Sequence, residues 1–215
     1  MDRIHSDQEL IPIIPSRPIY RWIKSILDRT GAIILSLLLF PFGLLMAFLI
    51  RMDDHGPVFF IQQRIGRNGK PFKLYKFRSM IINAETQGDG IYCGENDQRI
   101  TRMGKILRRT SLDELPQLWN IIRGEMSFVG PRPTLAYQVE RYSNRQRLRL
   151  TVSPGITGWA QVNGRNAIPW SERIELDLWY IAHRSLGLDI RIVWKTLFPG
   201  PQPPSIYGHQ DIFDL

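Results

Sequence analysis

The chain has 215 residues, enough for one domain with an adequate core and room for an appendage. Its 28 Lys and Arg against 20 Asp and Glu give a formal net charge of +8, so an anionic partner is expected: nucleic acid, anionic lipid or a phosphorylated substrate. A single cysteine, Cys93, excludes an intrachain disulfide, and His5, His55, His183 and His209 are too scattered to offer zinc spacing.

Residues 31–50, GAIILSLLLFPFGLLMAFLI, carry no charge. A run of about 20 apolar residues is just long enough to cross a bilayer as a straight helix. It starts too far from the N-terminus for a signal peptide, and no small-residue cleavage site follows it. A buried core helix is the ordinary alternative. Two features argue against a simple span. Pro41 sits mid-run, where it removes a backbone hydrogen bond and crowds the preceding turn. Both flanks are basic, with Arg17, Arg21, Lys24 and Arg29 before the run and Arg51, Arg64, Arg67, Lys70 and Lys73 after it. The positive-inside rule then places both ends on the cytoplasmic side. A re-entrant helix–break–helix, broken at Pro41 and dipping into one leaflet, meets both observations. Ser36 is a candidate to satisfy backbone groups freed at the break.

Residues 58–78 predict a β-hairpin, because two alternating apolar runs flank Arg67-Asn68-Gly69 and Asn-Gly is a strong tight-turn signal. Residues 83–98 are polar and read as a long loop over the site. A short helix is expected over 101–108. A second starts at Leu112 or Pro116 and runs to Ile122, where Gly124 ends it. Residues 134–150 carry Leu135, Val139 and Tyr142 among Arg141, Arg145, Arg147 and Arg149, the pattern of a basic amphipathic helix suited to an anionic membrane surface. Residues 153–166 are turn-rich, with glycines that permit close backbone approach and Asn163, Arg165 and Asn166 as hydrogen-bonding groups. Helices over 170–183 and 188–197 follow, joined at Ser185-Leu186-Gly187. Their Trp170, Trp179, Tyr180 and Trp194 suit either a membrane–water boundary or aromatic core packing. The tail from Pro199 is Pro-rich and reads as extended or disordered.

The most informative run is Ser111-Leu112-Asp113-Glu114-Leu115-Pro116-Gln117-Leu118-Trp119-Asn120. Two adjacent carboxylates stand at the head of an apolar, helix-period segment in a basic chain. Arg108 and Arg109 precede them, and Gly130-Pro131-Arg132-Pro133 follows. A structural reading exists: Ser111 and Glu114 match a capping box, or Pro116 opens the helix and leaves the carboxylates in the turn ahead of it. The chemical reading is that the carboxylates hold a hard cation such as Mg²⁺ while arginines grip phosphate oxygens.

Ordered motifs now identify a resemblance. Gly56-Pro57-Val58-Phe59-Phe60, Gly66-Arg67-Asn68-Gly69-Lys70-Pro71-Phe72, Lys76-Phe77-Arg78-Ser79-Met80, the 111–120 run, Met126-Ser127-Phe128-Val129-Gly130-Pro131-Arg132-Pro133 and residues 154–166 together resemble the bacterial sugar transferases. These are small monotopic polyprenyl-phosphate phosphoglycosyl transferases. The resemblance implies transfer of a sugar 1-phosphate from a UDP-sugar to polyprenyl phosphate, with UMP released, as the first membrane step of glycan assembly. It implies Asp113 as nucleophile and Glu114 as its metal-binding partner, with Mg²⁺ as cofactor. Lys76, Arg78, Arg108, Arg132, Asn163, Arg165 and Asp177 become candidate substrate-binding residues. In the family the re-entrant helix usually breaks at Ser-Pro, whereas here the pair is Phe40-Pro41.

The fold expected is mixed α/β, mostly helical. Residues 1–56 hold the re-entrant membrane helix. Residues 57–198 form a transferase domain, with a small hairpin and interfacial amphipathic helices, on the cytoplasmic face of the bacterial membrane. Residues 199–215 form the tail. Residues 163–168 followed by Trp170 resemble members that use N-acetylated amino sugars, including diacetylated bacillosamine-type donors, with galactose or glucose as alternatives. Membrane lipids are expected partners, and a second copy, as a homodimer, is a further candidate. No recognised nucleic-acid motif is present, so nucleic acid is not expected. The rival reading is a non-catalytic membrane-surface binding or scaffold protein.

Overall fold

A computed structural model describes residues 14–87, 97–164 and 167–199. Cys93, Arg165 and the Pro-rich tail beyond 199 lie outside them, as does most of the expected 83–98 loop.

The hairpin forms as the sequence implies. β1 (Phe59–Ile65) and β2 (Pro71–Phe77) pair antiparallel, from Phe59 opposite Phe77 to Ile65 opposite Pro71. Asn68 at φ 57° and Gly69 at φ 73° make the reversal, in the left-handed region those residue types tolerate. α2 (Arg102–Thr110) opens at Thr101, whose hydroxyl accepts from the Gly104 amide at 2.9 Å. It closes at Ser111, which adopts φ 57°. Ser111 is therefore the left-handed C-cap of α2, and its side chain makes no capping bond towards Glu114. The capping-box alternative fails on that geometry. Asp113 and Glu114 instead occupy a 3₁₀ turn, Leu112–Glu114, and α3 (Gln117–Ile122) follows Pro116.

β3 (Ser127–Val129) and β4 (Gly155–Thr157) form a short parallel ladder. The basic amphipathic helix expected over 134–150 does not form. The chain makes α4 (Ala136–Glu140), breaks, and resumes as a 3₁₀ segment, Gln146–Thr151. Ser143 Oγ accepts from the Gln146 amide at the break. Arg149 turns inward to pair with Asp177 rather than lining a solvated face. α5 (Trp159–Val162), α6 (Trp170–His183) and α7 (Leu186–Leu197) complete the chain. One core cluster joins Ile174, Leu178, Tyr180 and Ile181 of α6 to Val129, Tyr142 and Ile192. Tyr180 is thus a core residue. Trp194 is 63 % exposed, as a boundary residue would be.

α1 (Pro18–Asp53) is a single helix of 36 residues, about 54 Å long at the α-helical rise. The expected break at Pro41 is absent, and the helix runs through it. Proline frees one carbonyl, that of Leu37. Opening the helix further would strand more backbone groups beside exposed Leu37, Leu38 and Phe40, an apolar setting in which each unsatisfied group is costly. Ser36, expected to relieve a break, lines a cavity wall instead.

Both ends of α1 are tied to the same body. Tyr20 donates to Asp189 of α7 at 2.8 Å, and Lys24 pairs with the same carboxylate at 3.0 Å. Ala32 packs among Phe72, Leu74, Leu118, Ile121 and Met126. Met46 and Ile50 pack with Phe77 and Leu107, and Asp53 accepts from the Met103 amide at 2.9 Å. Between these anchors, one flank of the helix leaves Ile34, Leu37, Leu38, Leu45 and Phe48 bare. A helix that crosses a bilayer delivers its ends to opposite sides; in α1, residues near both ends contact the folded domain. Cysteines placed at Ser16 and at His55, in a Cys93→Ser background, are expected to respond alike to an impermeant maleimide in sealed vesicles. Labelling of one and protection of the other would show a true span.

Candidate active site

Three segments distant in sequence meet at one carboxylate. β2 carries Lys76, the 3₁₀ turn carries Glu114, and the loop after β3 carries Arg132. Glu114 Oε1 accepts from Lys76 Nζ at 3.0 Å and from Arg132 Nη2 at 2.7 Å. Lys76 and Glu114 are largely enclosed, while the Arg132 side chain is 50 % exposed. Burial alone would raise the Glu114 pKa, but the two cations and their hydrogen bonds outweigh it and hold the carboxyl at about 2. Burial likewise pulls the Lys76 ammonium below its ordinary value, against the attraction of Glu114.

Asp113 sits in a different balance. Its Oδ2 lies 3.8 Å from Lys76 Nζ, beyond hydrogen-bond reach. It accepts no hydrogen bond among the described residues. Burial raises its pKa, Lys76 acts against the rise, and the neighbouring Glu114 charge adds to it. Of two adjacent carboxylates, one is clamped and ionised, and the other is desolvated and, among the described residues, paired only with Lys76 at 3.8 Å.

Asp113 lines a cleft of about 410 Å³ whose wall also carries Arg64, Lys76, Arg78 and Arg108. Arg78 donates to the Asp54 carbonyl at 2.5 Å, while its Nε and Nη1 are buried without a partner among the described residues. Arg108 Nε donates to Ser79 Oγ at 2.9 Å. α2 comes this close because of Gly104, where an added Cβ would stand 1.9 Å from the Ser79 carbonyl oxygen. Arg64 donates to the Pro133 carbonyl at 3.3 Å and leaves a buried Nε without a partner among the described residues. Burial, with Arg132 nearby, lowers its pKa to about 10. Cations gathered around one cleft are the electrostatic complement of phosphate oxygens.

The structure thus brings together Lys76, Arg78, Arg108, Asp113, Glu114 and Arg132. Sequence reasoning placed Arg64 only among the basic flanks of the apolar run, since nothing local distinguishes it from its neighbours. Asn120 was noted only as the end of a motif. It is fully buried, donates to the Lys73 carbonyl at 2.7 Å and accepts from the Tyr75 amide at 3.2 Å, so it fixes α3 against the strand that carries Lys76.

Two candidates lie elsewhere, and Arg165 is outside the described residues. Asn163 donates to the Trp159 carbonyl at 2.8 Å and accepts from Lys195 at 3.1 Å, joining α5 to α7 away from the cleft wall. Asp177 is buried and paired with Arg149 through contacts of 2.9 and 2.6 Å. Arg149 also reaches the Arg132 carbonyl at 3.4 Å. Asp177 therefore supports the Arg132 loop from behind and is not presented to a substrate. Pro41 lies within α1.

Among the described residues no cluster of three or more His, Cys, Asp or Glu is present. The metal candidates remain Asp113 and Glu114, with Glu114 Oε1 already engaged. So few protein donors do not suit an all-protein cage. They suit Mg²⁺, which takes one or two carboxylates and completes its shell with water and substrate phosphates.

A cationic cleft with a buried carboxylate, beside a long bare apolar helix, belongs to a membrane-associated enzyme that handles phosphorylated substrates. The chain belongs to the bacterial sugar transferase family, whose model matches residues 19–200. It is 43% identical over 175 residues to the uncharacterized sugar transferase EpsL of Bacillus subtilis (strain 168), covering 81% of this chain and 85% of that one. It is 41% identical over 203 residues to the UDP-N-acetylgalactosamine-undecaprenyl-phosphate N-acetylgalactosaminephosphotransferase of Aeromonas hydrophila, covering 92% of this chain and 47% of that one. It is 46% identical over 181 residues to the UDP-glucose:undecaprenyl-phosphate glucose-1-phosphate transferase of Xanthomonas campestris pv. campestris, covering 80% of this chain and 37% of that one. The chain therefore spans less than half the length of the latter two relatives.

The Asp177–Arg149 pair generates a test of its role. Removing one member of a buried ion pair leaves the other uncompensated, at a cost of about 3–5 kcal/mol. Asp177→Ala is expected to lower Tm by roughly 6–20 °C in a protein of this size, and the double change Asp177→Leu with Arg149→Met should recover most of that loss. An unchanged Tm for Asp177→Ala would free the residue for a substrate role.

Proposed function

We propose that the chain transfers a sugar 1-phosphate from a UDP-sugar to polyprenyl phosphate, through a covalent intermediate on Asp113. The observation that carries this reading is the contrast between Asp113 and Glu114. Glu114 is hydrogen-bonded by two cations, whereas Asp113 is buried, raised in pKa and, among the described residues, held only by a longer ion pair to Lys76, in a cleft lined by four cations. An ionised oxygen with no hydrogen bond to break is a competent nucleophile.

In the proposed first step, an Asp113 carboxylate oxygen attacks the β-phosphorus of the UDP-sugar. The bond from that phosphorus to the oxygen bridging the two phosphates breaks, and UMP leaves with that oxygen. In the second step, a phosphate oxygen of the polyprenyl phosphate attacks the same phosphorus. Polyprenyl-diphosphate sugar forms and the Asp113 carboxylate is regenerated. Splitting the displacement lets a water-soluble donor and a lipid acceptor use one site in turn. Arg64, Arg78 and Arg108 would bind the diphosphate and orient the phosphorus. Mg²⁺ bound by the carboxylates would neutralise diphosphate charge.

Relatives carry names that specify N-acetylgalactosamine, glucose and galactose. The proposed donor here is a UDP-linked N-acetylated amino sugar, on the likeness of residues 163–168 and Trp170 to such members, with glucose and galactose as competitors. A panel of UDP-sugars scored by UMP release decides among them. The proposed location is monotopic, with α1 confined to one leaflet and the domain on the cytoplasmic face. It rests on the two-ended anchoring of α1 and on basic residues at both of its flanks. A lipid-binding scaffold would have no use for a desolvated carboxylate among cations, which costs stability without a reaction to serve.

Incubation with the correct UDP-sugar and Mg²⁺, without acceptor, is expected to release about one equivalent of UMP per site. Sugar phosphate should then be found on the peptide carrying Asp113, and Asp113→Asn should abolish both signals. Turnover with intersecting rather than ping-pong kinetics, and no adduct on active enzyme, would instead mean direct attack in a ternary complex.

The pH dependence follows from the signs above. Asp113 reacts as the anion, and its folded pKa is raised above that of a free aspartate, so the acid limb of UMP release should lie above where an unperturbed aspartate would put it. The Lys76 charge opposes that rise, so Lys76→Met should move the acid limb to still higher pH, whatever it does to the maximal rate. A limb that stayed in place or moved down would contradict the proposed coupling.

A further inference from the structure

A cavity of about 170 Å³ shares no lining residue with the cleft that holds Asp113. It lies between the first turns of α1, the reversal after α3, β3 and the end of α6. Its wall carries Arg21, Lys24 and Arg29 of α1, Arg67 of the hairpin turn and Arg184, the residue that closes α6. Among the described residues Asp28 is the one carboxylate on that wall, and it is already engaged. It accepts from the Phe128 amide at 3.4 Å and lies 3.6 Å from Lys24, which also pairs with Asp189 at 3.0 Å. The excess charge is therefore that of the four arginines, none of which meets a carboxylate among the described residues. Arg184 donates to the Ile181 and Pro15 carbonyls at 2.9 and 3.2 Å, contacts that fix its position without neutralising it. Gly124, at φ 77°, lets Arg29 approach, since an added Cβ would stand 2.5 Å from Arg29 Nη2.

Like charges drawn from three distant segments into one part-enclosed pocket repel one another. Burial, with Arg21 adding to it, pulls the Arg67 guanidinium below its ordinary value, and burial does the same to Arg184. Arginine does not shed its proton to relieve this, so relief comes from a counter-charge. Arg67 and Arg184 each hold a buried Nε without a partner among the described residues. Ser25 and Ser153 stand on the same wall and add hydroxyl donors. We propose that this cavity is a second anion site, separate from the transfer cleft, that takes a single phosphate group. Guanidinium groups match phosphate oxygens in charge and in donor geometry. The cavity is smaller than the roughly 300 Å³ at which sites for drug-sized ligands begin, so it suits a phosphate with a small substituent rather than a nucleotide sugar. Arg29 stands two residues before the uncharged run 31–50, at the level where lipid headgroups meet a basic helix flank. An anionic headgroup and a free phosphate ion both carry the required chemistry, and the position favours the headgroup. The inference does not depend on the transfer reaction.

The test uses the full chain in neutral detergent micelles, titrated in separate arms with dihexanoyl-phosphatidylglycerol and with inorganic phosphate. Binding is read by native mass spectrometry and calorimetry, and one equivalent is expected. Arg21 is exposed and Arg67 lies in the hairpin turn, outside the core clusters, so both can be changed without opening the fold. The pair Arg21→Gln with Arg67→Gln should weaken binding about thirtyfold. The pair Arg21→Lys with Arg67→Lys keeps the charge and should retain most of the affinity. Arg102→Gln with Lys105→Gln removes the same charge from the exposed side of α2 and should leave binding unchanged. Saturation by the lipid, with phosphate competing only weakly, assigns the site to a headgroup. Saturation by phosphate with no preference for the lipid assigns it to the free ion, and either result supports the proposal. Binding of neither probe at one equivalent, or equal weakening in the α2 pair, would show a diffuse basic surface and overturn it.

Discussion

Glu114 stays ionised inside the protein because two cations from other segments reach the same oxygen. That constraint organises the site. Lys76 arrives on a strand, Arg132 on a loop, and Glu114 on a turn between two helices, and a buried carboxylate without both cations would be driven towards its neutral form. Once Glu114 holds this position, its chain neighbour Asp113 must lie beside it, close to the same lysine but outside hydrogen-bond range. Adjacent carboxylates with pKa values pushed in opposite directions can take different tasks, one as a fixed charge and the other as a reacting group. The supports extend outward in layers. Asn120 fixes α3 to β2, and the Asp177–Arg149 pair backs the Arg132 loop.

The apolar surface decides where that site sits. Phe40 and Leu44 of α1, with Phe59, Ile61 and Trp119, are exposed and border one apolar trough. α7 adds Ile190, Trp194, Leu197 and Phe198, exposed at helical spacing. An apolar area this large on a monomer marks a surface that water does not cover in use. On the proposed reading, the cleft would open beside lipid, within reach of both a soluble donor and a membrane-bound acceptor.

Much of this was legible in the chain, and the failures have physical causes. The hairpin was readable because alternation and an Asn-Gly turn are local signals. α6 and α7 were readable because their apolar period is long and uninterrupted. The 111–120 run was readable as chemistry because adjacent carboxylates in a basic chain are electrostatically unusual. Ser111 was misleading as a cap because the same residue type serves helix starts and left-handed stops, and only the backbone angle separates them. Residues 134–150 looked amphipathic because Arg149 was counted as solvated, while its partner Asp177 lies 28 positions away. Asn163 and Asp177 were read as substrate-binding residues, whereas the structure pairs them with Lys195 and Arg149. A sequence does not show whether such a partner is protein or ligand.

Pro41 shows how the environment changes a local rule. In water, a proline inside a helix is a natural place to open it, because freed backbone groups find new partners. In a segment as apolar as residues 31–50, each further group released has nowhere to go. The least costly outcome is to lose one hydrogen bond and keep the remainder, which is the helix observed. Monotopic attachment then does not require a break at Pro41. It requires that both ends of α1 be bound to one body, and Asp189 at one end with Phe77 and Leu107 at the other meet that requirement. Tertiary contacts near both ends of α1 tie it to one body without a break at Pro41.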